Sequence, residues 1–328
     1  MTAGLGTRLL PYTKSLAKPL IPVCGIPLLQ FTLDQLRHGG ITQVAANVHH
    51  MAQMTQSAMR FLEGGNQILF SDESRELLGS GGGVRTMSGM FFKNEPFLYV
   101  NGDELLNIDY LDIKKHHQYL KHRVGAQITM VCLAKSPGQT PYSEILLDER
   151  RGLVRKIGEK KLGSTKFAGV AVIENQAISH LDLHKPYDLV QDVLLPKIRA
   201  GRVGFLMVEN HLEDYPRSWF DLGTPELWLN TQLSLLHWLE QKDAPRAWRE
   251  RLDRTVLRLG RNIFTTRSSG LTKAPESWSG PCFWAPQGAA KTPPINLGPN
   301  AVLYGEILGR DEFQSGIGHS GIWTDVSV

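Results

Sequence analysis

The sequence predicts an α/β fold followed by a smaller β-rich region, and three observations carry that prediction. From residue 20 to about 134, strand-length apolar runs alternate with amphipathic helical stretches, the pattern of a mostly parallel sheet covered on both faces. Beyond that the β segments become closely spaced, as in an antiparallel extension of the same sheet. Past about residue 260 the chain turns rich in Gly, Pro and Ser.

The elements follow in order. Pro27 at a first-turn position, Leu28, Phe31, Leu33 and Leu36 on one face, and Gly39-Gly40 at the end define a first helix. A strand at Ile41–Val48, a helix over Ala52–Leu62, a strand at Gln67–Phe70, a helix over Gly82–Met90 and a strand at Phe97–Val100 come next. A helix over about Ile108–His122 and a strand at Ala126–Leu133 complete the alternation. β segments are expected at Ile145–Asp148, Val154–Gly158 and Val170–Ile173, then a helix over Leu189–Arg199, a strand at Val203–Val208 and an amphipathic helix over Pro225–Leu239. The expected domains are therefore 1–240, a basic helical linker over 241–260 and a β-rich region over 261–328. In that last region Ser279-Gly280-Pro281, Leu297-Gly298-Pro299-Asn300-Ala301-Val302 and Ile317-Gly318-His319-Ser320 suggest either a short left-handed β-helix of six-residue repeats or an irregular β tail. A solenoidal tail would support contacts between copies in a homo-oligomer.

Composition narrows the function classes. With 41% apolar residues in 328, the chain can bury a sizeable core, and its longest apolar runs are strand-sized, so no membrane span is expected. The N-terminus lacks the features of a secretory signal, and Cys24, Cys132 and Cys282 are too scattered for a disulfide framework or a zinc site, which suits a reducing cytoplasm. A net charge of +4 arises from basic residues dispersed among acids, so no nucleic-acid partner is expected, while an anionic small substrate suits the balance.

The chemistry begins at the first residues. Gly4-Leu5-Gly6-Thr7-Arg8 leads through Pro11 and Thr13 to Lys18-Pro19. Its two glycines let backbone N–H groups approach phosphate oxygens, and Arg8 and Lys18 can neutralise charge on transferring phosphoryl groups. The string matches neither the dinucleotide fingerprint nor the Walker loop. Asp103 follows an apolar strand at the carboxyl edge where open α/β sheets bind ligands, or else it caps the next helix. Asp221 stands similarly before Gly223, where the structural alternative is a turn aspartate, and two such carboxylates suit Mg²⁺ completed by substrate phosphates. Gly79-Ser80-Gly81-Gly82-Gly83, just before a helical run, lets a flat base approach the backbone or is a plain linker. His49 and His50 are read as structural, because neighbours on an extended strand point opposite ways.

Taken together, the opening string, Glu76-Leu77-Leu78-Gly79-Ser80-Gly81-Gly82-Gly83, Asn101-Gly102-Asp103, Glu159-Lys160 and Trp219-Phe220-Asp221-Leu222-Gly223-Thr224 resemble the nucleoside-diphosphate-sugar pyrophosphorylases, also called sugar-1-phosphate nucleotidyltransferases. The resemblance covers about residues 1–240, and members acting on mannose 1-phosphate with GTP or on an amino-sugar phosphate such as N-acetylmuramate 1-phosphate with UTP are similar to it. It implies a Rossmann-like core with a mixed central sheet and an Mg²⁺-dependent transfer between an NTP and a sugar 1-phosphate. It also implies that Arg8 and Lys18 are catalytic and that Gly4, Leu5, Gly6, Thr7, Glu76, Gly81 and Gly82 bind the nucleotide. The sugar phosphate is assigned to Tyr142, Ser143, Glu159 and Lys160, and the metal to Asp103 and Asp221. A carboxylate at Glu76 can accept from both N1–H and N2–H of guanine, which favours GTP slightly.

Two departures concern the sugar: Ser143 stands where relatives have glycine, and Phe167 where many carry asparagine. A glycosyltransferase of similar core would normally show an Asp-x-Asp metal motif, whereas this chain has Asn101-Gly102-Asp103. A non-catalytic nucleotide-sugar-binding subunit is the remaining alternative. In relatives an apolar strand of about six residues enters the glycine loop, and here Met1-Thr2-Ala3 precede it. Either translation starts upstream or this form lacks most of that strand, in which case the loop is expected to be poorly anchored.

Overall fold

A computed structural model describes residues 1–91, 95–134, 141–208, 219–241, 244–260, 263–269, 271–276, 282–285, 301–308 and 321–327. In chain order the elements are β1 (Pro22–Val23), β2 (Ile26–Pro27), α1 (Leu28–His38), β3 (Val44–Val48), α2 (Ala52–Phe61), β4 (Ile68–Asp72), α3 (Gly79–Phe91), β5 (Phe97–Val100), β6 (Glu104–Leu106) and α4 (Tyr110–Val124). There follow β7 (Ile128–Leu133), β8 (Tyr142–Asp148), β9 (Leu153–Lys161), β10 (Lys166–Ile173), a π-helical segment Leu189–Leu194 running into α5 (Leu195–Arg199), and β11 (Val203–Val208). The chain continues with β12 (Trp219–Asp221), α6 (Pro225–Gln241), α7 (Arg246–Thr255), β13 (Val256–Gly260), β14 (Ile263–Thr266), β15 (Cys282–Ala285), β16 (Ala301–Leu308) and β17 (Gly321–Ser327). Among the described residues no helix is long and apolar enough to cross a membrane.

Packing groups the chain into two units: Met1–Leu20 with Gln35–Phe220, and Ile21–Asp34 with Asp221–Val328. This grouping differs from the linear division expected at 240 and 260.

The first unit is built on a six-stranded sheet in the order β5-β10-β7-β11-β9-β8. Only β7 and β11 run parallel within it; β5 with β10, β10 with β7, β11 with β9 and β8 with β9 are antiparallel. The alternation alone suggests a mostly parallel sheet; the sheet is instead the mixed one that the family resemblance implies. The alternation itself is present, but β10 inserts between β5 and β7 from much later in the sequence. β3 and β4 form a separate parallel pair.

The period-2 geometry of strands covered on both faces explains why the central runs are almost wholly apolar. Ile128, Met130 and Cys132 of β7, with Ala171 and Ile173 of β10, pack with Val84 of α3 and Leu189, Val193 and Ile198 of the π-helical segment and α5. Val131 and Leu133 of β7, with Val170 and Val172 of β10, pack with Tyr110 and Ile113 of α4 and Trp219 on the other face. α4 starts where Asp109 accepts from the Leu111 N–H at 2.8 Å and stops at Gly125, whose φ of 69° suits a residue without a side chain.

In the second unit, Phe31 of α1, Trp238 of α6 and Trp248 of α7 form a cluster, Phe31 edge-on and Trp238 stacked against Trp248, each with ring centroids 6.1 Å apart. Arg251 clasps Asp34 with two hydrogen bonds of 2.7 and 2.9 Å, and Gln30 adds a third at 3.0 Å. Beyond α7, β13 and β14 are antiparallel, and β14, β15, β16 and β17 are successive parallel neighbours, with Ile263 opposite Cys282, Cys282 opposite Ala301 and Ala301 opposite Gly321. Ser279-Gly280-Pro281, Leu297–Asn300 and Ile317–Ser320, on which the six-residue repeat was expected, lie outside the described residues. The parallel sheet alone does not support a left-handed β-helix.

Candidate active site

The opening loop closes on itself through its glycine and threonine. Gly6 adopts φ +64°, the left-handed region, and a Cβ there would lie 3.0 Å from Thr13 Cγ2 and 3.4 Å from Lys18 Cβ. The Thr13 hydroxyl donates to the Gly6 carbonyl at 2.9 Å, and Leu9 is buried beneath the short turn Thr7–Leu9. Gly4, Leu5, Thr7 and Arg8 are left exposed on the outside of the loop. The residues before it are held at two strand ends. The Met1 amino group donates to Val100 O at 2.7 Å, Gly102 N–H to Met1 O at 2.8 Å, and Thr2 N–H to Asn47 Oδ1 at 2.8 Å. The poor anchoring expected of the loop is not what these contacts describe.

Lys18 returns the chain to the end of β5. Its Nζ lies 2.8 Å from Asp103 Oδ2, and its side chain is 7% exposed against 41% for Asp103. Gly102 is required beside it, since a Cβ would come 2.6 Å from Thr2 Cγ2 and 2.7 Å from Met1 O. Asn101 receives the Tyr99 hydroxyl at 2.5 Å and donates its own N–H to Gly169 O at 2.8 Å. Burial and the nearby carboxylates Glu104, Asp103 and Asp188 push the Tyr99 phenol well above its ordinary range, so it remains a donor.

A cavity of about 260 Å³ opens here, lined among others by Gly4, Lys18, Leu77, Gly79, Ser80 and Asp103. Its back is polar and buried. Asn47 donates to Glu73 Oε1 at 2.8 Å, and Glu73 Oε2 accepts from the Leu78 N–H at 3.1 Å just before α3 begins. Burial raises the Glu73 pKa, and the bonds from Asn47 and Leu78, His49 and the chain's amino group oppose the rise. His49 Nδ1 bonds Glu73 O at 2.7 Å and His50 Nε2 bonds Thr13 O at 3.3 Å, so the two rings serve separate carbonyls, as structural histidines do.

The glycine segment is divided between two jobs. Gly79 and Ser80 line the cavity at the start of α3, where the first N–H groups of a helix have no partner within the helix itself. Gly81 and Gly82 are buried, and both donate to Tyr187 O, at 2.8 and 3.1 Å. A Cβ on Gly82 would sit 2.2 Å from Lys185 O, and one on Gly81 3.0 Å from the Asp188 carbonyl carbon. These two glycines are needed for backbone packing, and they are not among the residues lining the cavity. Glu76 is exposed and likewise does not line it.

The residues assigned to sugar phosphate lie on the β8–β9 hairpin. Ser143 is directly opposite Lys160, and Tyr142 opposite Lys161, so the structure brings Ser143 and Lys160 together as cross-strand partners; Glu159 and Lys160 are exposed. Tyr142 meets Trp219 edge-on at 5.6 Å, and the ammonium of Lys166, a residue 3% exposed, sits 3.7 Å from the Tyr142 ring centre and 3.3 Å from that of Trp219. The Trp219 indole donates to Glu104 Oε2 at 3.2 Å. Gly169, at φ +70°, leaves room for that carboxylate, since a Cβ would come 2.2 Å from the same oxygen. Sequence reasoning missed Lys166, Glu104, Tyr99, Asn47 and Glu73. The signal for Lys166 was present as a charged residue opening the apolar run Phe167–Ile173.

Among the described residues no group of three or more His, Cys, Asp or Glu side chains forms a ready-made metal cage. Asp103 nonetheless fits a hard divalent cation, because its carboxylate is partly open at a cavity wall and Mg²⁺ takes one or two carboxylates plus phosphate oxygens and waters. Asp221 is buried, and its Oδ1 accepts from the Gly223 N–H at 2.7 Å, the turn role weighed for it from sequence.

A family model described as Nucleotidyl transferase matches residues 1–237. The chain belongs to this family. Curated nucleotidyl transferases similar to it include a UTP–glucose-1-phosphate uridylyltransferase from Synechocystis, 27% identical and matched over 70% of this chain and 60% of the relative. A probable mannose-1-phosphate guanylyltransferase 3 from rice is 26% identical over 75% of this chain and 66% of its own length. A mannose-1-phosphate guanyltransferase beta-A from Xenopus laevis is 25% identical over 74% and 65%. The chain thus spans somewhat less than two thirds of these relatives. Among solved structures, HddC from Yersinia pseudotuberculosis shares the fold at TM-score 0.55 and 19% identity, covering 70% of this chain and 95% of that one. A putative glucose-1-phosphate thymidylyltransferase from Bacillus anthracis does so at TM-score 0.53 and 16% identity, covering 70% and 91%.

Proposed function

We propose that the protein joins the α-phosphoryl group of an NTP to a sugar 1-phosphate with release of pyrophosphate. The observation that carries this reading is the Lys18–Asp103 pair at a cavity lined also by Gly4, Gly79 and Ser80. A cation, a carboxylate and two stretches of approachable backbone answer the needs of phosphoryl transfer, which are positioning and charge neutralisation rather than acid–base work. A sugar-phosphate oxygen attacks the α-phosphorus in line. Arg8, exposed on the loop, neutralises the departing pyrophosphate, and Gly4, Leu5, Gly6 and Thr7 offer backbone to the phosphates.

Leu77, Gly79 and Ser80 face the nucleotide, while Gly81 and Gly82 support them from behind. Lys18 and Lys160 hold the sugar phosphate, Glu159 accepts from a sugar hydroxyl, and Tyr142 with Ser143 frames the ring. Mg²⁺ bound at Asp103 would supply charge neutralisation at the phosphates. Asp221 is the second carboxylate that the family resemblance names, and its Asn variant tests that role separately.

Mannose 1-phosphate with GTP is the first choice of substrates, supported by the names of several similar relatives. UTP with a glucose or amino-sugar 1-phosphate is the second, favoured by the uridylyltransferase among them. A cytoplasmic enzyme feeding polysaccharide assembly, working as a homo-oligomer, suits this chemistry. The test is a panel of NTPs against sugar 1-phosphates with pyrophosphate as the readout. One pair turning over well above the others supports the proposal. Nucleotide-sugar binding with no pyrophosphate from any pair would instead leave a binding subunit.

A further inference from the structure

The Lys18–Asp103 contact joins two groups that the proposed reaction uses on different substrates. Lys18 is 7% exposed, and its backbone lies in the short turn Lys18–Leu20. An ammonium so buried requires an anion nearby, because removing its partner leaves an uncompensated charge. Asp103 is less constrained: its carboxylate is 41% exposed and offers its open side to the cavity. A divalent cation can therefore reach Asp103, whereas Lys18 cannot swing out to water when it loses Asp103.

We propose that Lys18 is the internal counter-ion of Asp103, and that a divalent cation arriving at Asp103 releases Lys18 to a phosphate group. Binding of metal and of sugar phosphate is then coupled through the exchange of one ion pair. This inference rests on the nucleotidyl-transfer reading above and adds how its two substrates are linked. The coupling is reciprocal by thermodynamic necessity: whatever factor the cation adds to phosphate affinity, phosphate adds to cation affinity. In the resting protein the pair also keeps the site electrically closed, so neither ligand alone meets a bare charge.

Removing either residue should therefore improve binding of the other's ligand. Mn²⁺ alone is titrated and followed by electron paramagnetic resonance, and inorganic phosphate alone is titrated and followed by ³¹P line broadening. Lys18→Met is expected to bind Mn²⁺ about five- to tenfold more tightly than the parent, and Asp103→Asn to bind phosphate more tightly by a similar factor, the size of a charge-assisted, partly buried contact. Lys14→Met and Asp112→Asn make the same charge changes at exposed positions nearby in sequence, and each should shift its probe less than about twofold. Equal shifts in variant and control would reduce the effect to the general field of the site and overturn the exchange. No shift in Asp103→Asn would overturn it too, even if Lys18→Met failed to fold. A parent protein that releases pyrophosphate while these titrations show no exchange loses only the coupling. One that shows the exchange without ever releasing pyrophosphate loses the proposed reaction.

Discussion

Gly82→Ala separates a packing role for the glycine segment from a nucleotide-binding one. The added Cβ would lie 2.2 Å from Lys185 O and 3.1 Å from the Tyr187 nitrogen, both backbone atoms that cannot rotate away. Relief requires a shift of roughly 1 Å between α3 and the 185–188 segment, and forcing extra methylenes into packed interiors typically costs about 1–3 kcal/mol. The same shift strains the hydrogen bonds from Gly81 and Gly82 to Tyr187 O, each contributing about 0.5–1.5 kcal/mol. A loss of about 2–6 kcal/mol follows, or a fall in Tm on the order of 4–24 °C at about 2–4 °C per kcal/mol for a unit of this size. Thermal unfolding by circular dichroism measures it, with the NTP KM taken at a temperature where the variant is folded. The reasoning predicts a large Tm change with a KM within about threefold of the parent, since sub-threefold effects fall inside ordinary mutational scatter. An unchanged Tm with a tenfold higher KM would refute it and return Gly82 to the nucleotide.

Two further outcomes follow from buried ionisable side chains. Lys166→Met removes the ammonium from between Tyr142 and Trp219 and should raise the sugar-phosphate KM on the order of tenfold, a desolvated cation–π contribution, with the NTP KM little changed; equal rises in both would contradict a sugar-side role. His117 is buried between Thr129 and Glu174, at 2.8 and 3.1 Å, and burial holds its pKa below the usual imidazole value despite the pull of Glu174. The folded state therefore favours neutral His117, and its contribution to stability is held above about pH 6.5 and lost as pH falls toward the lowered folded value. Burial works to raise the Glu174 pKa, but hydrogen bonds from Lys121 and His117 outweigh it and hold the pKa below its usual value. Its share is lost only below about pH 4.5. Tm measured between pH 7.5 and 5.5 should decline in the parent and flatten in His117→Gln; parallel curves would remove His117 from the account.

The apolar runs at Ile128–Leu133 and Val170–Ile173 were legible as buried strands because both faces of each are covered, which favours apolar side chains at nearly every position, Thr129 excepted. Their order in the sheet was not. Whether β10 lies beside β7 or beyond it depends on pairing across the fold, which leaves no mark on local periodicity. The same limit separates Glu76 from Glu73. In Ser71-Asp72-Glu73-Ser74-Arg75-Glu76 both look like surface carboxylates, and only the Asn47 amide and the Leu78 N–H arriving from elsewhere make Glu73 a buried one. Lys18 and Asp103 were legible as phosphate and metal candidates, yet their direct pairing was not, because eighty-odd residues separate them and no motif spacing encodes it.

The central claim is that nucleotidyl transfer occurs at the cavity holding Lys18 and Asp103, and label transfer tests it most directly. Parent protein and Asp103→Ala are incubated with GTP labelled at the α-phosphorus, mannose 1-phosphate and Mg²⁺, with each other NTP and sugar 1-phosphate as parallel arms. The account predicts label appearing in a nucleotide sugar in equal amount to released pyrophosphate, with the rate in Asp103→Ala lower by on the order of a hundredfold or more. Full turnover in Asp103→Ala, or label that never leaves the NTP in any arm of the parent, would contradict it.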